Sequence, residues 1–570
     1  MRAQRTVIIG GVAGGMSAAT RLRRLDESME IIVLERGGFV SFANCGLPYH
    51  VGGVIADRGA LLLQTPQSLR ARFAIDVRIN TEATAIDPET QTVEIRDTQT
   101  GATSTLEYDE LVLSPGARLR STIDTGKVPA FALRTIDDMD AIIDALKDVE
   151  LAGRRPRVAV IGAGFIGLEA VENLHQRGAA VTLVQSAAQV LGPLDIEMTA
   201  PIMAVLRDAG IDVRLSTTVL GGADGELILS DGSRVAADVA IIAPGVTPDT
   251  ALAAAANLQL GDKGGIRVDA SHRTSAPHIW AIGDAAMKTD AIDGGEVIVS
   301  MAGLANRHGR EVADAIAGAT IAAAPALGTG IVGVLGVTVA MTGWSERRAR
   351  AAGRRIRVVH THPMHHAGYY PGATQLAIKL VIDANDDQIL GAQIVGRDGV
   401  DKRIDVIATA IAGGITASAL TRLELAYAPQ YASAKDPINL LGYVADNVRD
   451  GRTRTIQWHE LEAAQLAGAV VVDVRSETEH TTAAIPGAVN LPLDHLRERH
   501  DELGDAAIIV HCQVGQRGHT AARLLAQLGH DVHNLDGGYL TWHAGTSMTT
   551  AAPTPAAPTP TAQRTEGAAA

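Results

Sequence analysis

The chain has 570 residues, with 50 Lys plus Arg against 64 Asp plus Glu and a formal charge of −14. At roughly 100 to 200 residues per domain it must divide into several cores, and its acidic surplus excludes a general attraction to nucleic acid or anionic membrane. Only two cysteines occur, Cys45 and Cys512, which rules out a disulfide scaffold, a Cys-x-x-Cys pair and a multi-thiolate metal site. No metal is expected, and any sulfur chemistry must use single thiols. Aromatics make up 3% of residues, so Ala, Val, Ile and Leu must build the cores of an α/β protein.

The N-terminal residues run straight into Val7-Ile8-Ile9 without the apolar core of a signal peptide, so a cytoplasmic location is expected. Residues 6–35 hold a β-branched run, a glycine cluster, an Ala-rich helix and a second strand, and residues 157–185 repeat that grammar. Two nucleotide-binding βαβ units are expected. In the first unit Gly10 and Gly15 stand where the outer glycines of G-x-G-x-x-G belong, with Val12 at the middle one. Glu35 ends the next strand, at the distance of a ribose-binding carboxylate. Gly283 and Asp284 close a later strand, over residues 273–284, that returns to this unit. Together they suit FAD, held along its length, better than a second nicotinamide. In the second unit Gly162, Gly164 and Gly167 complete the fingerprint, whose glycines admit a pyrophosphate to a helix N-terminus. Gln185 occupies the ribose-binding position with no Arg or Lys beside it, so NADH and NADPH both stay open.

Cys45 follows Glu35 closely, between Asn44 and a Gly-x-Pro turn. A lone buried cysteine is ordinarily inert; one placed directly after a flavin-type unit can sit beside the isoalloxazine and, lacking a second thiol, must form a mixed disulfide or a sulfenate. Residues 106–117 and 239–248 each read as a strand ending in a Pro-Gly turn that closes a nucleotide domain. Residues 315–345 carry no charge and are long enough to cross a bilayer, but Pro325 and six glycines interrupt them, so buried strands are expected. Cys512 ends the strand 507–511 and begins a loop reaching Arg517 ahead of a helix. Inward-facing amides there, with Arg517, would lower a thiol pKa and hold an anionic persulfide. Residues 546–570 are mostly Ala, Thr and Pro with one large apolar side chain, Met548, and are expected to be a disordered tail.

Five stretches, SFANCGLPY at 41–49, PLDIEM at 193–198, IWAIGDAA at 279–286, GLANRHGR at 303–310 and YAPQYASAKDPIN at 427–439, resemble the single-cysteine branch of the pyridine nucleotide-disulfide oxidoreductases. That branch holds coenzyme A-disulfide reductase with related NADH oxidases and persulfide reductases, and the resemblance covers residues 1 to about 446. It implies Cys45 as the redox thiol, Ser41 and Asn44 as contacts of the coenzyme A disulfide and Arg24 as a phosphate contact. It also implies a homodimer in which Tyr369 and Tyr427 reach the partner's site as proton donors or sulfur-positioning groups. VVDVR at 471–475, IPGA at 485–488, the Cys512–Arg517 loop, and Gly537-Gly538 with Trp542 resemble a rhodanese sulfurtransferase, with Ala483-Ala484 departing from its usual Gly-His.

The expected architecture is two Rossmann-like domains for FAD (residues 1–117 and 249–327) and NAD(P) (118–248), then an α+β dimerisation domain (328–446). A linker (447–454) and an α/β rhodanese domain (455–545) follow. The expected activity is NAD(P)H-dependent reduction of coenzyme A disulfide, coenzyme A persulfide or a polysulfide, with Cys512 and Arg517 supplying sulfur transfer. A water-forming NADH oxidase or peroxidase using a Cys45 sulfenate is the alternative.

Overall fold

Strands covered on both faces read as unbroken apolar runs, and in Arg5–Ile9 every residue after the first is buried. In the computed structural model, which describes residues 4–550, this strand is the centre of a five-stranded parallel sheet. Its order is Ile279–Ala281, Glu110–Leu113, Arg5–Ile9, Glu30–Leu34 and Asp76–Arg78. A second parallel sheet repeats the plan: Asp212–Arg214, Ala180–Val184, Arg157–Ile161, Val239–Ile242 and Ala130–Phe131. Each unit also carries a three-stranded antiparallel meander. The chain leaves the first unit through Ala117–Leu119 and returns through Val246–Pro248, and these two strands pair antiparallel.

Two expected strands are shorter than the sequence suggested. Residues 106–117 divide among the end of Thr103–Glu107, the core strand Glu110–Leu113 and the start of Ala117–Leu119, with Gly116 at φ +76° in the Pro-Gly turn expected to end the strand. Residues 273–284 contract to Ile279–Ala281, preceded by His278 at φ +63°, a conformation no strand accommodates.

The uncharged stretch 315–345 forms the end of the helix Ala302–Ile316 and the hairpin Gly330–Val334 with Val337–Gly343. No helix among the described residues is long and apolar enough to cross a membrane. The hairpin opens an antiparallel sheet continued by Ile389–Gly396, Ala377–Asp383 and Ile356–Thr361. The helices Val400–Ala412 and Pro437–Arg449 pack on it through Ile404, Ile407 and Leu441. The second of these helices runs into the expected linker.

A fourth five-stranded sheet, parallel, has the order Thr455–Ile456, Val532–Leu535, Ile508–His511, Val470–Asp473 and Val489–Asn490. The helix after it, Gly538–Thr550, continues past residue 545. The expectation of a disordered tail from 546 is therefore corrected. Met548, the one large apolar side chain of that segment, is buried and anchors the last turn against the rest of the chain. The remainder of the expected tail, 551–570, lies outside the described residues.

A buried charge network joins three of these units. Lys379, on the antiparallel sheet, meets Asp195 at 3.0 Å, Glu346 at 2.7 Å and Glu197. Asp195 and Glu197 belong to the PLDIEM stretch of the second nucleotide unit. His360 bridges Glu197 (3.2 Å) to Asp536 of the fourth-sheet unit (2.7 Å), and its backbone N–H also donates to Asp536 at 2.9 Å. Isolated charges so deeply buried cost several kcal/mol each, so their survival requires this mutual pairing. Burial alone would discharge His360, but its hydrogen bonds to Asp536 and Glu197 prevail and lift its pKa to about 9. Burial likewise opposes charge on Lys379, and the surrounding carboxylates override it and raise its pKa.

Candidate active sites

The first glycine cluster turns where its sequence requires. Gly10 has φ +104°, and a Cβ on Gly15 would stand 1.9 Å from the Gly10 carbonyl oxygen, so strand and helix meet only without side chains. Glu35 accepts from the backbone N–H of Gly11 (2.9 Å) and of Gly37 (2.8 Å), which aims its carboxylate across the strand ends. Gly10, Glu35, Asn44, Gly283 and Asp284 line one cavity of about 880 Å³. Its size and its side-chain-free cradle fit a dinucleotide such as FAD. Burial raises the Asp284 carboxyl pKa while Lys288 and Arg134 oppose that shift. Lys288 donates to the carbonyls of Gly283 (2.5 Å) and Ala286 (2.8 Å), holding the turn that presents Asp284. Sequence reading missed this lysine.

The second cluster repeats the close approach: a Cβ on Gly167 would lie 1.9 Å from the Gly162 carbonyl oxygen, whereas one on Gly164 would meet nothing, leaving the helix N-terminus open to a pyrophosphate. The Gln185 side chain accepts from the Ala163 N–H at 3.1 Å and donates to the Gln189 carbonyl at 3.4 Å. It therefore braces the glycine loop and puts no charge at the ribose position.

Cys45 sits in the 3₁₀ turn Asn44–Gly46, exposed, with the Asn44 Oδ1 accepting from the Cys45 N–H at 3.0 Å and 3.7 Å from Sγ. The Ser41 N–H donates to the Gly11 carbonyl at 2.8 Å, tying the thiol segment to the first glycine loop. Arg24, Ser41 and Asn44 share a second cavity of about 400 Å³, to which Arg72 also contributes. Asn44 lines both cavities, so the thiol turn stands at their junction. Partial desolvation pushes the Cys45 thiol above its usual range, and the carboxylates of Glu169 and Asp284 add to the shift. Glu169 lies two residues after Gly167 and accepts from the Tyr49 hydroxyl at 3.4 Å. Burial first, then Glu169, drives Tyr49 up to about 12. Neither residue was singled out from sequence. The only available signal for Glu169 was an acidic side chain just inside the glycine-loop helix.

Tyr369 and Tyr427 come together, hydroxyl to hydroxyl at 3.0 Å, and both are exposed. They line neither cavity beside Asn44 of their own chain.

Cys512 is fully buried at the end of Ile508–His511, and the loop after it turns at Gly515, φ +88°, into the helix Gln516–Gln527. The N–H groups of Tyr539 and Leu540 donate to the carbonyls of Cys512 (2.8 Å) and Gln513 (3.1 Å). This seats the loop on the start of the last helix. Gly538 permits the approach, since a Cβ there would be 2.5 Å from the Cys512 carbonyl oxygen. Arg517 makes a two-pronged pair with Glu479, at 2.8 and 2.6 Å. Arg475 reaches Gln513 of the loop at 3.0 Å while anchored to Asp473. Glu479 thus shares the Arg517 charge that sequence reasoning assigned to the thiol alone.

Residues 4–311 match the family described as pyridine nucleotide-disulphide oxidoreductase, 330–437 the dimerisation domain of that family, and 457–545 a rhodanese-like domain. A coenzyme A disulfide reductase of Staphylococcus aureus is 36% identical over 440 residues, 77% of this chain and 99% of the relative. Reduced CoADR-RHD of Bacillus anthracis is 42% identical with a TM-score of 0.92, covering 96% of this chain and 98% of that one. An NAD-dependent persulfide reductase from A. fulgidus is 35% identical with a TM-score of 0.88, over 95% and 100%. A water-forming NADH oxidase of Lactobacillus brevis, 24% identical with a TM-score of 0.74 over 79% and 99%, shares the fold.

Proposed function

The chain belongs to the pyridine nucleotide-disulphide oxidoreductase family and is an NAD(P)H-dependent oxidoreductase. From that premise we propose that it reduces coenzyme A persulfide and coenzyme A disulfide, and that its rhodanese domain supplies the persulfide sulfur. The observation that carries this reading is the position of Cys45, an exposed thiol on the turn whose first residue, Asn44, lines both a dinucleotide cavity and the cleft of Arg24 and Ser41.

FAD in the larger cavity supplies the two-electron relay between nicotinamide and thiol. The chain's own groups do the rest. Glu35, Gly10, Gly15, Gly283 and Asp284 hold the flavin dinucleotide, and Gly162, Gly164 and Gly167, braced by Gln185, receive the nicotinamide cofactor. Arg24 takes a phosphate of coenzyme A, and Ser41 and Asn44 position its sulfur end. As thiolate, Cys45 Sγ attacks the carbon-bound sulfur of coenzyme A persulfide; the S–S bond breaks, hydrosulfide leaves and a Cys45–coenzyme A mixed disulfide forms. Two electrons and a proton from NAD(P)H then cleave that disulfide into Cys45 thiolate and coenzyme A thiol. With coenzyme A disulfide the leaving group is a second coenzyme A thiolate. In the homodimer, Tyr369 and Tyr427 serve the partner's cleft and protonate the departing sulfur. Cys512, with Arg517 beside it, carries a sulfane sulfur and passes it to coenzyme A thiol, regenerating its own thiol as the persulfide forms.

The test is anaerobic NADH and NADPH consumption with coenzyme A persulfide, coenzyme A disulfide, inorganic polysulfide and, separately, dioxygen as acceptors. Cys45→Ser abolishes reduction and spares thiosulfate sulfurtransfer; Cys512→Ser does the reverse. Turnover with dioxygen exceeding that with every sulfur acceptor sinks the proposal and assigns Cys45 to an oxidase cycle.

A further inference from the structure

A third cavity, of about 750 Å³, belongs to neither thiol site. Its walls come from three units. The helix Ala200–Asp208 contributes Pro201, Met203 and Ala204, the antiparallel sheet contributes Val337, Ala377 and Val395, and the last helix contributes Leu540, Ala544 and Met548. The volume lies in the range of small-molecule sites, and an apolar wall with a few convergent polar groups is their usual construction.

The charged side chains at its exposed rim are both cationic. Arg207 and Arg397 line the cavity from its exposed side, and neither guanidinium has an ion-pair or hydrogen-bond partner among the described residues. Other arginines of this chain commonly find a carboxylate, as Arg177 does with Glu150 and Arg267 with Glu296. Deeper in, His362 donates or accepts through Nε2 with Thr541 at 2.8 Å, a bond that spans the antiparallel sheet and the last helix. Burial drives its pKa down to about 3, so at neutral pH it stays an uncharged ring that an apolar ligand can pack against. The acid lining the cavity, Glu197, is already engaged by Lys379 and His360. No unpaired negative charge therefore opposes an anion at the mouth.

We propose that this cavity is a binding site for an amphipathic monoanion, a hydrocarbon body with a carboxylate head, whose chain lies between Met203, Val395 and Ala544 and whose head meets Arg207 and Arg397. Such a ligand touches all three units at once. Its occupancy favours the arrangement in which the last helix, and with it the Cys512 loop seated on that helix, is docked.

The probe is dodecanoate, titrated calorimetrically below its micelle concentration into the full-length, flavin-loaded dimer saturated with coenzyme A, with dodecyltrimethylammonium as the opposite-charge control. One site per chain is expected for dodecanoate and none for the cation. The paired reversal Arg207→Glu and Arg397→Glu, at two exposed positions, should weaken dodecanoate by about tenfold or more, the worth of a charge-assisted hydrogen bond. Ala204→Trp, which fills the cavity from its rim, should abolish the heat while leaving NADH turnover with coenzyme A disulfide intact. The proposal is overturned by absence of dodecanoate binding, by equal binding of the cation, or by wild-type affinity in both variants. The last result would place the ligand elsewhere, including on the chain beyond residue 550.

Discussion

Replacing Asp536 by Asn tests whether one buried pair docks the rhodanese unit. His360 makes two of its hydrogen bonds to this carboxylate, and its pKa stands at about 9 against an ordinary 6.5. At ~1.36 kcal/mol per unit, the shift makes the charged ring worth about 3 kcal/mol to the folded arrangement. The sign follows from the direction of the shift. A raised folded-state pKa contributes in full below about pH 6.5 and is lost as pH rises through about 9. Wild-type protein should therefore keep its rhodanese unit docked at pH 7 and loosen it progressively towards about pH 9.5. Asp536→Asn should be loose already at pH 7, since removing one member of a buried pair costs about 3 to 5 kcal/mol and leaves His360 facing the Lys379 charge that opposes it. Amide hydrogen exchange, corrected for intrinsic rate, reads this directly on Ile356–Thr361 and the start of Gly538–Thr550, with flavin absorbance as a check that the first unit is intact. Protection in wild type that is flat across the range, together with unchanged protection in the variant, would refute the reasoning.

Four further outcomes follow from the geometry. Gly15→Ala drives a methyl into the Gly10 carbonyl and should yield protein with little bound flavin, read by visible absorbance; a yellow variant of normal turnover contradicts the cradle. Lys379→Met removes the cation that Asp195, Glu197 and Glu346 share and should lower stability by about 3 to 5 kcal/mol in denaturant melts, a loss that an unchanged midpoint would disprove. Glu169→Gln removes one of the carboxylates that raise the Cys45 thiol, so the pH midpoint of Cys45 alkylation by iodoacetamide should move downward; an unmoved midpoint rejects the coupling. Arg517→Ala should reduce thiosulfate sulfurtransfer by about tenfold or more, the scale of a lost charge-assisted contact, while NADH-driven disulfide reduction is kept, and parallel losses in both assays would contradict separate sites.

Local grammar made much of the machine legible. A β-branched run, glycines at set spacings and an Ala-rich helix specify a βαβ turn because strand, close approach and helix start are all decided within about 30 residues. That is why Gly10, Gly15, Gly162 and Gly167 could be read as cradles and why Cys512 could be placed between strand and helix. The helix running past 545 was harder, since one buried methionine decides that boundary and its burial depends on what packs nearby.

The chemical identity of each thiol's setting was thus readable from the order of residues, but the charges around it were assigned only by packing. His360 and Asp536 are 176 positions apart, Arg517 and Glu479 38, and Cys45 feels Glu169 from a separate nucleotide unit. Coulomb interactions depend on distance through space and on local burial, and a chain order records neither until the domains have docked.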